Sequence, residues 1–214
     1  MSTPVQLALP ALNAAIQHGE PVVIAAFGSS STRGAAATDI GHAYPALLQT
    51  ELSRRVQGAH IAVINRGIGG QDASEELVRI GRDVIALRPQ LVIWQVGANA
   101  AIRNIDPDSF RTTLIAGVKR LRESGADVIL MDNQRAGRIL AAPRRQEIEL
   151  ALAQAATATG AALFSRGALM DTWRDQGLAY AHFLAPDDLH HNNLGYRCLA
   201  QALANTIVGA LQRE

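Results

Sequence analysis

Five short apolar segments, separated by longer amphipathic ones, constrain the fold of this chain most strongly. The first four are rich in β-branched residues, and each is bounded by proline, glycine or polar residues, which is typical of a buried strand. The five predicted strands are residues 22–27, 61–64, 91–96, 128–131 and 161–164.

The segments between these strands repeat apolar residues with the spacing of an amphipathic helix. The predicted helices are residues 8–18, 42–56, 74–87, 107–124, 144–159 and 193–211, and residues 165–192 are predicted to form a mixed loop. Because the strands alternate with helices and are apolar throughout, we expect a parallel sheet with helices on both faces. With no internal repeat or linker, the chain is predicted to form a single α/β domain over residues 1–214.

Composition excludes several classes of function. A net charge of +1 argues against a basic nucleic-acid-binding surface. Cys198 is the only cysteine, so no intrachain disulfide is expected. There is no apolar run of 18 residues, and residues 1–20 lack the pattern of a secretory signal, so neither a membrane span nor a signal peptide is predicted. No histidine, cysteine and carboxylate grouping has metal-ligand spacing, and no metal site is predicted.

A hydroxyl-rich turn, Gly28 to Gly34, follows the first predicted strand directly. Ligands of open α/β sheets bind beyond the carboxyl ends of the strands, so this turn lies where a serine nucleophile could be exposed. Taken alone, the turn could equally be a nest of N–H groups that cradles a phosphate. The loops after the second and third strands, with Gly70 and Asn99, should reach the same rim. A structural alternative for Asn99 is the capping of a helix.

A second polar turn precedes the last predicted helix and contains an acid three residues before a histidine. Such an acid can orient the imidazole and stabilise its protonated form. Two overlapping pairs have this spacing, Asp187 with His190 and Asp188 with His191.

Four motifs along the chain together resemble the blocks of the SGNH (GDSL) hydrolase family. They are Gly-x-Ser-x-Thr-x-Gly at 28–34, Asn-x-Gly-x-x-Gly at 65–70, Gly-x-Asn at 97–99 and Asp-x-x-His-x-Asn-x-x-Gly-Tyr at 187–196. The resemblance implies a flavodoxin-like three-layer α/β/α sandwich with a five-stranded parallel sheet. It also implies hydrolysis of esters or thioesters without a metal or other cofactor.

The resemblance assigns roles to five residues. Ser30 would be the nucleophile, His190 the general base and then acid, and Asp187 the acid that orients it. The oxyanion hole would consist of the backbone N–H groups of Ser30 and Gly70 and the side-chain amide of Asn99.

The chain departs from the family pattern at two positions. Ser29 stands where the family usually has an aspartate before the nucleophile, and Ala100 stands where an aspartate often follows the asparagine of the third block. Neither position belongs to the predicted triad or oxyanion hole. The departures therefore affect the hydrogen bonds expected to hold the two loops.

The predicted activity is that of a serine esterase that acts through an acyl-enzyme on a small-molecule ester. Few aromatic residues, 4% of the chain, and no long apolar lid favour short acyl groups, such as acetyl esters of sugars or other small alcohols. The alternatives are a lysophospholipase or thioesterase of the same family, or a non-enzymatic flavodoxin-like module that binds phosphate or flavin mononucleotide.

Two further hypotheses concern substrate contacts. Trp173, in the predicted mixed loop, is a candidate for lining the site, whereas Trp94 is predicted to be core. Five arginines follow the third and fourth strands, and one or two could bind an anionic or polar part of the substrate. They are Arg103, Arg135, Arg138, Arg144 and Arg145.

Overall fold

The computed structural model of the protein describes residues 7–212, and within them a five-stranded sheet forms the centre. The strands are β1 (Val22–Gly28), β2 (Ile61–Gly67), β3 (Leu91–Gln95), β4 (Asp127–Met131) and β5 (Ala162–Phe164). Their order across the sheet is β2-β1-β3-β4-β5, and every pair of neighbours is parallel. The predicted parallel sheet is therefore confirmed.

Helices follow the strands along the chain. They are α1 (Pro10–Gln17), α2 (Ser30–Arg33), α3 (Tyr44–Arg55), α4 (Ala73–Asp83), α5 (Ala98–Ile102), α6 (Pro107–Glu123), α7 (Gly137–Leu140), α8 (Arg145–Thr159), α9 (Arg166–Asp175) and α10 (Asn193–Leu211). Short 3-10 helices form at Ile40–His42, Ile85–Leu87 and Tyr180–Phe183. Over residues 7–212, none of the helices combines the length and apolar character that a membrane crossing requires.

Two apolar cores, one on each face of the sheet, produce the three layers. Successive side chains of a strand point to opposite faces, so an uninterrupted apolar strand supplies both cores. Phe27 and Trp94 pack with α4, α6 and α8, whereas Ile24 and Ile93 pack with α1, α3 and α10. This arrangement confirms the predicted α/β/α sandwich.

The region predicted as a mixed loop, residues 165–192, contains a regular helix, so that prediction was wrong in part. Helix α9 begins after Ser165, whose side-chain oxygen accepts a hydrogen bond from the N–H of Ala168 at 3.1 Å. Its apolar side is narrow, with Met170 fully buried and Trp173 half-buried, and charged residues surround it. Because a helix that buries so few side chains repeats apolar residues only weakly, its periodicity was not recognised.

The order of the strands places a topological switch point between β1 and β3. The chain leaves β1 for β2 on one side and later returns to β3 on the other side of β1. Loops after β1 and β3 therefore diverge at this point and leave a crevice at the carboxyl ends of the strands. Ser30 follows β1 and Asn99 follows β3, so both lie at this crevice.

Candidate active site

Ser30, His190 and Asp187 form a continuous hydrogen-bonded chain at the crevice. His190 Nε2 lies 2.8 Å from Ser30 Oγ, although 160 positions separate the two residues in the sequence. On the other side of the ring, His190 Nδ1 lies 2.6 Å from Asp187 Oδ2. Because a carboxylate can only accept, the imidazole carries its proton on Nδ1 and presents the lone pair of Nε2 to the serine hydroxyl.

The aspartate of this chain is held as a carboxylate. Its other oxygen, Oδ1, accepts hydrogen bonds from the N–H groups of Leu189 and His190, each at 3.0 Å. Partial burial acts to raise the pKa of Asp187, but the hydrogen bonds from the His190 ring and from these two N–H groups outweigh it and lower the pKa below its usual value. The negative charge that orients His190 is therefore present at neutral pH.

The second pair with the same spacing, Asp188 and His191, lies apart from the serine. His191 is fully buried, and its Nδ1 donates to the carbonyl oxygen of Phe183 at 3.0 Å. Burial, together with the charge of Arg166, lowers the pKa of His191 to about 3, so its ring is neutral. Asp188 accepts a hydrogen bond from the N–H of Gly137 instead. Of the two pairs, the structure thus brings to Ser30 only Asp187 and His190, the pair that the motif at 187–196 favours.

The loop that carries Gly70 lies beside Ser30. A Cβ built on Gly69 would lie 3.9 Å from the Cβ of Ser30, so the loop after β2 passes directly over the serine. Within residues 7–212, neither the N–H of Ser30 nor that of Gly70 donates a hydrogen bond. The φ angle of Gly70 is +82°, in the left-handed region that side chains disfavour. The backbone N–H groups of Ser30 and Gly70 therefore have no hydrogen-bond acceptor within residues 7–212.

Asn99 lies in the first turn of α5, and its side chain does not cap the helix. Its Nδ2 donates to the carbonyl oxygen of Gln71 at 2.7 Å, which ties α5 to the loop after β2. The amide carries a second N–H, for which no acceptor is found within residues 7–212. The capping alternative for Asn99 is therefore wrong.

Gln95 supplies the hydrogen bonds that hold the serine loop, where the chain has Ser29 in place of the usual aspartate. The Oε1 of this fully buried glutamine accepts from the N–H and Oγ of Ser29, both at 3.3 Å, and from Thr32 Oγ1 at 3.2 Å. Ala100, at the other departure, is buried in the apolar core. A neutral amide at the end of β3 thus anchors the loop without a carboxylate at position 29.

Arg79, on α4, joins the loops after β1 and β2, a role that no sequence motif predicts. Its guanidinium, only 5% exposed, donates to the carbonyl oxygens of Gly28 at 3.0 Å and Arg66 at 2.9 Å, and to Gln71 Oε1 at 2.6 Å. It also lies over the ring of Phe27, 4.5 Å from the centroid. The helical pattern gave no signal, because an arginine within α4 is expected at the surface.

The arginines proposed from the sequence as substrate contacts are mostly engaged elsewhere. Arg103 pairs with Asp72 and Glu75, and Arg135 pairs with Glu149 and Asp171. Arg144 pairs with Glu147 and Asp106, and Arg145 pairs with Glu149. Among the five, only the exposed Arg138 has no side-chain partner within residues 7–212. Of the five, Arg138 is therefore the arginine whose charge is left without a side-chain partner in this part of the chain.

The two tryptophans have different surroundings. Trp94 is completely buried, as predicted, and its Nε1 donates to Glu76 Oε2 at 2.7 Å. Trp173 packs on Phe183 with ring centroids 4.2 Å apart, in a small apolar cluster that also includes Ala98 and Leu189. Since Leu189 directly precedes His190, this cluster helps to hold the loop that carries His190.

This arrangement can carry out nucleophilic acyl chemistry. A serine hydroxyl hydrogen-bonded to an oriented imidazole can lose its proton as it attacks, and free N–H groups beside it can bind the developing oxyanion. Over residues 7–212, no three histidine, cysteine or acidic side chains come together as a metal site would require.

Two curated bacterial esterases are similar to part of the chain. An arylesterase of Vibrio mimicus is 29% identical over 120 residues, which cover 56% of this chain and 58% of that protein. The esterase TesA of Pseudomonas aeruginosa is 28% identical over 104 residues, which cover 49% of this chain and 51% of that protein. The chain thus spans little more than half the length of these curated relatives.

A solved structure and a family comparison extend the likeness along the chain. A two-domain esterase active on acetylated mannans, CEX, has a TM-score of 0.81 to this chain at 20% identity, over 96% of this chain and 54% of that one. At this identity the likeness shows a common fold. The Non-GDSL lipase-like family matches residues 2–213. The protein therefore belongs to the Non-GDSL lipase-like family, which confirms the SGNH (GDSL) resemblance predicted from its four sequence blocks.

Proposed function

We propose that this protein is a carboxylic ester hydrolase in which Ser30 forms an acyl-enzyme. The observation that carries the proposal is the 2.8 Å contact between Ser30 Oγ and His190 Nε2, with Asp187 on the opposite ring nitrogen. A non-enzymatic binding module would have no use for a hydroxyl, an imidazole and a carboxylate joined in this order. The esterase names of both curated relatives point in the same direction.

In the first half of the reaction, Ser30 Oγ attacks the ester carbonyl carbon while its proton passes to His190 Nε2. The carbonyl oxygen becomes an oxyanion, which the N–H groups of Ser30 and Gly70 and the Asn99 amide stabilise. The carbon–oxygen bond to the alcohol then breaks, and His190 gives its proton to the leaving oxygen. Asp187 stabilises the imidazolium that exists between these two transfers.

In the second half, water replaces the alcohol. His190 Nε2 takes a proton from the water as its oxygen attacks the acyl carbon, and the same oxyanion site holds the charge. The bond to Ser30 Oγ breaks, the serine recovers its proton from His190, and the carboxylic acid leaves. The balance thus requires only the ester, one water molecule and these residues.

We propose short acyl groups, such as acetyl esters of sugars or of other small alcohols, as the substrates. The small number of aromatic residues supports this, as does the fold shared with an esterase active on acetylated mannans. A preference for long acyl chains or for thioesters would instead indicate the lysophospholipase or thioesterase alternative.

The activity is tested with p-nitrophenyl esters from acetate to palmitate and with acetylated sugars. Ser30→Ala should lower kcat by about 10⁴-fold or more, while the neighbouring Ser31→Ala, a control in the same loop, should remain active. A fluorophosphonate should label the wild-type chain at Ser30, as located by mass spectrometry. Turnover by Ser30→Ala at the wild-type rate, or labelling at another residue, would contradict the proposal.

A further inference from the structure

Arg33 lies beside the proposed nucleophile and was not among the arginines considered from the sequence. It is the third residue after Ser30, at the end of the one-turn helix α2. Its Nη1 lies 3.6 Å from the position that a Cβ on Gly69 would take, and the Cβ of Ser30 lies 3.9 Å from the same position. The guanidinium and the serine therefore contact the same stretch of the loop after β2.

The backbone that carries Arg33 is fixed from two sides. Its N–H donates to the carbonyl oxygen of Ser29 at 3.0 Å, and Asn65 Nδ2 donates to the carbonyl oxygen of Thr32 at 2.8 Å. A Cβ on Gly67 would lie only 2.1 Å from the Arg33 nitrogen, so the end of β2 packs directly on this backbone. The base of the side chain is thus rigid, whereas the guanidinium is exposed.

The charge of Arg33 is uncompensated. Its side chain has no hydrogen bond or ion pair within residues 7–212, unlike Arg103, which pairs with two carboxylates nearby. The carboxylate of the proposed triad, Asp187, is already engaged by His190. A free guanidinium at the edge of a reaction site can bind a carboxylate, sulfate or phosphate through its planar fork of N–H groups.

We propose that Arg33 binds an anionic group of the substrate, so that the enzyme prefers esters that carry a negative charge close to the scissile bond. This inference rests on the proposed ester hydrolase function of the same site. The anionic group belongs either to the acyl part or to the alcohol part of the ester, and the two sources share the same recognition chemistry.

The test compares matched charged and neutral esters. For the acyl side, these are the mono-p-nitrophenyl ester of adipic acid and p-nitrophenyl hexanoate. For the alcohol side, they are phenyl acetates with a meta-sulfonate or a neutral meta substituent. Each pair is assayed with wild type, Arg33→Gln and Arg33→Lys. The control is Arg88→Gln, which removes the same charge from an exposed, unpartnered arginine just before β3, at the opposite end of the sheet.

The quantity compared is kcat/KM for the charged ester divided by kcat/KM for the neutral ester. In at least one pair, we expect Arg33→Gln to lower this ratio by about tenfold or more, which is the usual effect of losing a charged hydrogen bond. Arg33→Lys should retain part of the ratio, Arg88→Gln should retain all of it, and salt should reduce the wild-type ratio. If wild type and Arg33→Gln give equal ratios for both pairs while ester turnover is normal, the proposed role of Arg33 is overturned but the hydrolase proposal is not. Absence of any turnover by wild type would overturn the hydrolase proposal and this inference with it.

Discussion

Arg79 Nη2 donates a hydrogen bond to the carbonyl oxygen of Gly28, 3.0 Å away, two residues before the proposed nucleophile. The same guanidinium holds the carbonyl oxygen of Arg66 and the side chain of Gln71, which lie on either side of Gly70. One buried side chain on α4 thus fixes the spacing between the loop that carries Ser30 and the loop that carries Gly70. An oxyanion hole requires this spacing to be set before the substrate arrives.

We expect Arg79→Gln to lower both stability and catalysis. Loss of the charged hydrogen bonds leaves buried carbonyl groups unpaired, which should cost about 2–4 kcal/mol in the free energy of unfolding. Because the two loops lose their common anchor, kcat should fall by about tenfold or more at nearly constant KM. Urea unfolding and steady-state kinetics measure the two effects. Arg82→Gln, an exposed position on the same helix, should change neither, and equal behaviour of the two variants would contradict this role.

Asn99→Ala should reduce kcat by about 10²–10³-fold with little change in KM, because the amide is proposed to bind the charge that exists only in the transition state. The measurement is kcat and KM for p-nitrophenyl acetate. Asn205→Ala, at an exposed position of α10, serves as the control. A rise in KM at constant kcat would instead assign Asn99 to substrate binding.

Asp187→Asn should lower kcat by about 10²–10⁴-fold, because the amide can neither fix the Nδ1–H tautomer nor stabilise the imidazolium. Asp188→Asn should leave kcat within a few-fold, although Asp188 has the same spacing to His191. The two variants make the same chemical change at adjacent positions. Comparable losses in both would reject the assignment of the triad acid.

Glu76→Gln should reduce the pH dependence of stability. Burial raises the pKa of Glu76 well above its usual value, and the hydrogen bond from Trp94 and the charge of Arg79 only partly oppose this. The folded chain therefore keeps a proton that the unfolded chain releases above about pH 4.3, so the contribution of Glu76 to stability is complete below that pH and is lost as the pH rises toward the folded-state pKa.

The glutamine keeps the acceptor for Trp94 but cannot titrate. As the pH rises above about 5, we expect the free energy of unfolding of wild type to fall relative to that of Glu76→Gln, by at most about 1.4 kcal/mol per pH unit. Urea unfolding at several pH values measures this difference, with Glu123→Gln as an exposed control. Parallel profiles for wild type and Glu76→Gln would show that Glu76 keeps its usual pKa.

Local patterns in the sequence determined the layers of this protein. Uniformly apolar segments such as 22–27 predict strands buried on both faces, and the spacing of apolar residues in 107–124 and 193–211 predicts the helices that cover them. These signals are readable because burial acts on residues that are neighbours in the sequence. The four motifs are also local signals, because assigning them to a family required only their spacing and their order along the chain.

Only the tertiary structure decided which side chains meet. The sequence contains two Asp-x-x-His pairs with the same spacing, and the hydrogen bond of the buried His191 to Phe183 keeps the second pair away from Ser30. It contains a row of five arginines, and the folded chain pairs four of them with carboxylates and leaves only Arg138 without a side-chain partner within residues 7–212. No pattern in the neighbouring sequence indicates that Arg79 joins two loops or that the side chain of Arg33 is exposed. Such contacts depend on how distant strand ends register in the sheet, and that register is a property of the whole packed core rather than of any segment.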